Sequence, residues 1–134
     1  MAHVLFVCLH NAGRSQMARA LFDRDAAPRH TSDSAGSIAD PRARPHPEVI
    51  AVIGELGIDI TAARPRRLTD ELAQRADVIV TMGCGDSCPY FPGKRYLEWD
   101  LPDPKGQPIA VVRDTREEIQ RRVAELIDEL DTRA

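Results

Sequence analysis

The strongest constraint on the fold is the segment HVLFVC, residues 3–8, together with the turn and helix after it. Six nearly all-apolar residues, rich in β-branched and aromatic side chains, are too few for a buried helix and fit a strand buried on both faces. A short loop, LHNAG, comes next, and from Ser15 to about Ala26 the residues Met17, Ala18, Leu21 and Phe22 recur at helical spacing, ended by Pro28. A second strand of the same kind is predicted over ADVIVTM (76–82), with weaker strands at HTSDSAG (30–36) and KRYLEW (94–99). Pro47 opens a helix through Val49, Ile50, Val52, Ile53 and Leu56 that stops at Gly57. Thr69 caps a short helix to about Arg75, and an amphipathic helix over about 115–130 carries Ile119, Val123, Leu126, Ile127 and Leu130 on one face. ADPRARPHP (39–47), GCGDSCPYFPG (83–93) and DLPDPKGQP (100–108) read as loops. Short buried strands alternating with helices build βαβ units, hence an α/β fold with a parallel sheet covered on both sides. The 134 residues show no repeat or linker, so a single domain over 1–134 is expected.

Composition narrows the function. A net charge of −3 with both signs interspersed argues against a nucleic-acid binder. No apolar stretch approaches the roughly 20 residues of a membrane span, and the run from Val4 to Val7 is too short for a signal-peptide core, so a cytoplasmic protein without a membrane partner is expected. Three cysteines are too few for a disulfide framework, and in a reducing compartment they are reactive, ligating or simply buried. No second ligand pair joins Cys84 and Cys88, so a zinc site is not expected.

The chemistry concentrates in the first loop. Where a strand of an open α/β sheet feeds a helix, backbone N–H groups and the helix N-terminus make an anion cradle. Cys8 stands at its base, and Leu9, His10, Asn11, Ala12, Gly13, Arg14 and Ser15 form the turn. Gly13 permits backbone conformations closed to other residues, and Asn11 can take the left-handed region and brace the turn with its amide. Arg14 offers a planar fork of donors to two oxygens of a tetrahedral oxyanion. The same positive field, with a hydrogen bond from Ser15, favours the thiolate of Cys8. His10 is expected to face solvent, and Arg42, Arg44 and His46 to lie in a solvated loop.

The stretch FVCLHNAGRSQMA resembles the active-site loop of the low-molecular-weight protein tyrosine phosphatase superfamily, which includes arsenate reductases of the same fold. The likeness continues through SAG (34–36), ELGIDI (55–60), ADVIVTM (76–82) and the final helix. It implies a four-stranded parallel sheet with helices on both faces and an aspartate general acid in an Asp-Pro motif, here Asp103-Pro104. The phosphatases follow that motif with aromatic residues lining a phosphotyrosine slot, whereas Lys105 and Gly106 follow it here. The arsenate reductases carry extra cysteines near TMGCGDSCP (81–89), and GKRYLEWDLPDPKGQ also resembles their continuation. The expected activity is therefore reduction of arsenate to arsenite, started by Cys8 with Arg14 and Asp103 and competed by phosphate or sulfate.

Arsenic takes two electrons, and thiols are the evident donors. Either Cys84 and Cys88 relay them to thioredoxin, or mycothiol or glutathione with a mycoredoxin- or glutaredoxin-type protein supplies them. The two extra cysteines have three residues between them here against six in thioredoxin-linked members, and Gly83 stands at the first cysteine's position. Arg19 and Arg66 occupy positions where some members place potassium-binding carboxylates, so no metal and no tightly bound cofactor is expected. The alternatives are a protein tyrosine phosphatase, or a non-catalytic oxyanion-binding regulatory module that kept the loop.

Overall fold

The computed structural model describes residues 1–83 and 90–133. Strand β1 (His3–Cys8) is followed by helix α1 (Arg14–Ala26), β2 (Thr31–Gly36), α2 (Pro47–Gly54), α3 (Asp70–Arg75), β3 (Val78–Thr81), β4 (Arg95–Glu98) and α4 (Ile109–Arg133). The four strands form one parallel sheet in the order β2-β1-β3-β4, with Val4 and Phe6 of β1 opposite Ser32 and Ser34 on one side and Val78 and Val80 on the other.

The period-two geometry of β1 divides the core. Val4, Phe6 and Cys8 point to the face covered by α1, α2 and α4, packing with Met17, Phe22, Val52, Ile53, Ile119 and Val123. Leu5 and Val7 point the other way, onto Leu72, Ala73 and Ala76 around α3. Helices thus cover both faces, which is why β1 reads as a continuous apolar run rather than an alternating one. The parity also fixes the sulfur: Cys8, at the last position of β1, emerges on the same face as α1.

The capping expectations hold. Thr69 Oγ1 accepts from the Leu72 amide at 3.2 Å, Pro47 opens α2, and Gly57 takes a left-handed φ of 80° just past its end, where Ile58 N reaches back to the Ile53 carbonyl. The expected boundaries shift most at α4; α2 ends at Gly54 rather than reaching Leu56, and β3 is confined to Val78–Thr81. α4 starts at Ile109, about six residues before the expected start, because Val112 is fully buried and extends the apolar stripe by two turns. Ile109 and Val111 lie partly in solvent and blur that stripe in the sequence. Among the described residues, no helix is long and apolar enough to cross a membrane.

Candidate active site

The loop between β1 and α1 is built by local chemistry. Asn11 takes a left-handed φ of 54°, and its fully buried side chain braces the turn. Its Oδ1 accepts from the Arg66 amide at 2.9 Å, which fixes the orientation of the carboxamide and turns Nδ2 toward Ser15 Oγ, 2.7 Å away. Nδ2 can only donate, so Ser15 accepts there and its single proton is left for Cys8 Sγ at 2.9 Å. Cys8 is 3% exposed, so the contact lies away from bulk water.

Around this chain of donors the loop closes tightly. Leu9 is half-buried, His10 exposed, and Ala12, Gly13 and Ser15 buried. Gly36, at the end of β2, passes so close beneath the loop that a Cβ there would lie 2.5 Å from the Leu9 carbonyl and 2.8 Å from the Asn11 amide. Gln16, buried in the first turn of α1, donates through Nε2 to the Asn11 carbonyl at 3.0 Å. Sequence reasoning misses these two residues. An amide and a glycine carry no chemical signature of their own, although Gly36 belongs to the SAG stretch.

Arg14 opens α1 with only 7% of its surface exposed, and its Nη1 donates to the Leu101 carbonyl at 3.1 Å. That bond brings the 101–106 loop to the anion loop. Pro104 packs against Gly13, its Cγ 2.9 Å from where a Cβ on Gly13 would stand. Asp103, one residue before, is exposed, with Oδ1 accepting from the Lys105 amide at 3.0 Å, and the Gly106 amide donates to Glu48 Oε1 at 3.0 Å. His46 is the other neighbour of Gly13, 3.4 Å from the same point, and burial pushes its imidazole below the usual range, against the opposing pull of Glu48 and Asp103. The ring is accordingly neutral at neutral pH. Arg42 and Arg44 are exposed, as expected for a solvated loop.

Cys8, Arg14, Ser15 and the loop amides thus meet at one end of the sheet, with the Asp103 loop beside them. Cys84 and Cys88 lie outside the described residues. Arg19 and Arg66 both turn toward the Asp33 carboxylate in β2, at 3.9 and 3.5 Å, where Arg75 at 3.5 Å and His3 Nε2 at 3.0 Å also converge. Fixed positive charge therefore occupies those two positions. Among the described residues no group of three His, Cys, Asp or Glu side chains stands ready to hold a metal. A buried sulfur beneath a turn of backbone amides, with an arginine and a carboxylate-bearing loop beside it, is the set of groups that thiol attack on a tetrahedral oxyanion would need.

The family model described as low molecular weight phosphotyrosine protein phosphatase matches residues 3–134. The chain belongs to that family. Within the low molecular weight phosphatase family it is 36% identical over 129 residues to a protein of Halobacterium salinarum named putative arsenate reductase, covering 94% of this chain and 91% of that one. The structure of a thioredoxin-dependent arsenate reductase from Corynebacterium glutamicum matches with a TM-score of 0.83 and 39% identity. The match covers 100% of this chain, which spans 63% of that longer protein. The YwlE arginine phosphatase from Geobacillus stearothermophilus superposes with a TM-score of 0.87 at 26% identity, covering 99% of this chain and 95% of that one.

Proposed function

We propose that this protein is a thiol-dependent arsenate reductase. The observation that carries the reading is the buried Cys8 sulfur 2.9 Å from Ser15 Oγ under the Arg14-bearing loop. The identity to proteins named arsenate reductase, over nearly the whole chain, supports it.

In this reading arsenate seats on the amides of residues 9–15 with Arg14 spanning two of its oxygens. The Cys8 thiolate attacks arsenic, an As–S bond forms and an As–O bond breaks, and Asp103 supplies the proton that lets the oxygen leave as water rather than hydroxide. A second thiol then attacks the Cys8 sulfur. The S–S bond forms, the S–As bond breaks, and its electron pair stays on arsenic, which leaves as arsenite. Two thiols become one disulfide for each arsenic reduced. In the internal relay the second thiol is Cys84, with Cys88 following to pass a disulfide to thioredoxin; in the other route mycothiol or glutathione first takes arsenic from Cys8, and a redoxin thiol then attacks the small thiol's sulfur, forming the S–S bond and releasing arsenite. Phosphate and sulfate compete for the cradle. The chain works as one domain in the cytoplasm, whose thiol pool keeps Cys8 reduced.

The likeness to an arginine phosphatase supports a second reading, phosphoryl transfer through the same thiolate, which needs no second thiol. One experiment separates them. Arsenate with thioredoxin, mycothiol–mycoredoxin or glutathione–glutaredoxin in turn, and an aryl phosphate, are assayed side by side on wild type, Cys8→Ser, Cys84→Ser and Cys88→Ser. Arsenite production that vanishes in a folded, phosphate-binding Cys8→Ser variant is expected. Aryl phosphate hydrolysis without arsenite moves the assignment to the phosphatase, binding without turnover of either makes the chain a regulatory module, and full activity in both loop-cysteine variants ends the relay.

A further inference from the structure

The Arg14 guanidinium is pinned at one end by two backbone features that arsenate reduction itself does not use. Its Nη1 donates to the Leu101 carbonyl at 3.1 Å. At the same end lies Gly83, two residues past β3, with a left-handed φ of 76°. A Cβ on Gly83 would overlap Nη1 outright and stand 3.1 Å from Cζ. Gly83 is thus a residue whose missing side chain is the space Arg14 fills, and its positive φ independently disfavours any side chain there.

Resting on the reading of Arg14 as the oxyanion fork, we propose that Gly83 and the Leu101 carbonyl are positioning elements for it, fixing which edge of the guanidinium meets the anion. Guanidinium carries five N–H donors in one plane. With the Nη1 end held by Leu101 and walled by Gly83, the edge left for two anion oxygens is Nε with Nη2. A bidentate pair needs that plane set before the anion arrives, because an arginine free to rotate loses side-chain entropy on binding. The clamp also joins three parts of the site. Gly83, just past β3, lies against Arg14, Arg14 bonds Leu101, and Leu101 lies two residues before Asp103, so the fork and the acid loop are tied together.

The test is a thermodynamic cycle on the full chain: wild type, Gly83→Ala, Arg14→Ala and the double variant. Two readouts are taken on reduced protein, affinity for inorganic phosphate by calorimetry and melting temperature. Gly83→Ala is expected to weaken phosphate binding about 10- to 100-fold, the range of a lost charge-assisted contact. The double variant should bind no more weakly than Arg14→Ala alone, since a displaced fork and an absent fork are the same loss. The drop in melting temperature caused by Gly83→Ala should be smaller in the Arg14→Ala background, where only the backbone strain remains. Undiminished phosphate affinity in Gly83→Ala, losses that multiply in the double variant, or an equal thermal cost in both backgrounds overturns the proposal. If Gly83→Ala alone does not fold, folding of the double variant upholds the clash and its failure to fold refutes it. Wild type that binds phosphate through Arg14 yet makes no arsenite would end the reductase reading and leave this one standing. Arg14→Ala binding phosphate like wild type would end both the fork and its clamp.

Discussion

Asn11 does three jobs that substitutions can separate. It holds a left-handed φ of 54°, accepts the Arg66 amide at Oδ1, and donates from Nδ2 to Ser15. Asn11→Ala forces an L side chain that cannot hydrogen-bond locally into the left-handed region, about 1 kcal/mol, and strips a partly buried backbone N–H of its acceptor, about 1–3 kcal/mol. The expected loss is about 2–4 kcal/mol by urea denaturation, a large part of the ~5–15 kcal/mol that holds a typical domain. Asn11→Gly removes the same hydrogen bonds without the backbone strain, so it should be about 1 kcal/mol less damaging than alanine. Asn11→Asp keeps an acceptor for Arg66 but replaces the donor to Ser15 with a carboxylate oxygen. Ser15 then gives its proton to the carboxylate instead of to Cys8. Stability should change least in this variant, while alkylation of Cys8 by iodoacetamide at pH 7, followed on the Cys8 peptide by mass spectrometry, should slow about 10-fold or more. Glycine as costly as alanine would refute the strain argument. Unchanged alkylation in Asn11→Asp would refute the claim that Asn11 points the Ser15 proton at sulfur.

Gly36→Ala should cost at least about 100-fold in arsenate turnover and lower the melting temperature, because its Cβ would meet backbone atoms of Leu9, His10 and Asn11 that cannot swing aside; near-wild-type turnover would show that the loop yields. Asp103→Asn should slow the first half-reaction about 10²- to 10⁴-fold while phosphate affinity holds, as for a lost general acid; single-turnover kinetics decide it. Phe22→Ala empties a fully buried site against Phe6, whose ring centroid lies 5.6 Å away, and should cost about 3–5 kcal/mol by denaturant titration. The Glu55 carboxyl is held at about 2, against an ordinary 4.5, chiefly by hydrogen bonds from Arg113 and then Arg116. The unfolded chain therefore takes up this proton first as pH falls, so the pair's contribution is complete above about 4.5 and is lost on the way down to about 2. Urea midpoints of wild type and Glu55→Gln should converge over that range; a constant gap would place the stabilisation elsewhere.

How much of the molecule is legible in the sequence depends on how local each piece is. β1, the loop and the start of α1 are contiguous, so an apolar run, a left-handed asparagine and a glycine stand next to one another in the chain and predict the strand, turn and helix that the structure has there. β2 is far fainter. Ser32, Asp33 and Ser34 are buried polar residues, tolerable because Ser32 donates to Asp23 at 2.6 Å and Asp33 lies among His3 and three arginines, partners that hydropathy does not see. α4 begins earlier than its pattern suggests because its first apolar residues are half in solvent.

The least legible part is what holds Arg14. Leu101 is 87 residues away from it in the chain, and nothing in the sequence ties Gly83 to Arg14. Their meeting is a consequence of strand order. β3 inserts beside β1, with Val7 opposite Thr81, and β4 lies outside it with Glu98 opposite Thr81, so the segments leaving β3 and β4 emerge at the same end of the sheet as the loop leaving β1. In a parallel sheet every strand delivers its C-terminal residues to that one end. The residues proposed as nucleophile, anion fork and acid, scattered over about a hundred residues, therefore need no motif to find each other, only a common strand direction. That direction comes from strands alternating with helices, whereas the order across the sheet, which decides that Gly83 and Leu101 rather than other loop residues meet Arg14, is set by packing.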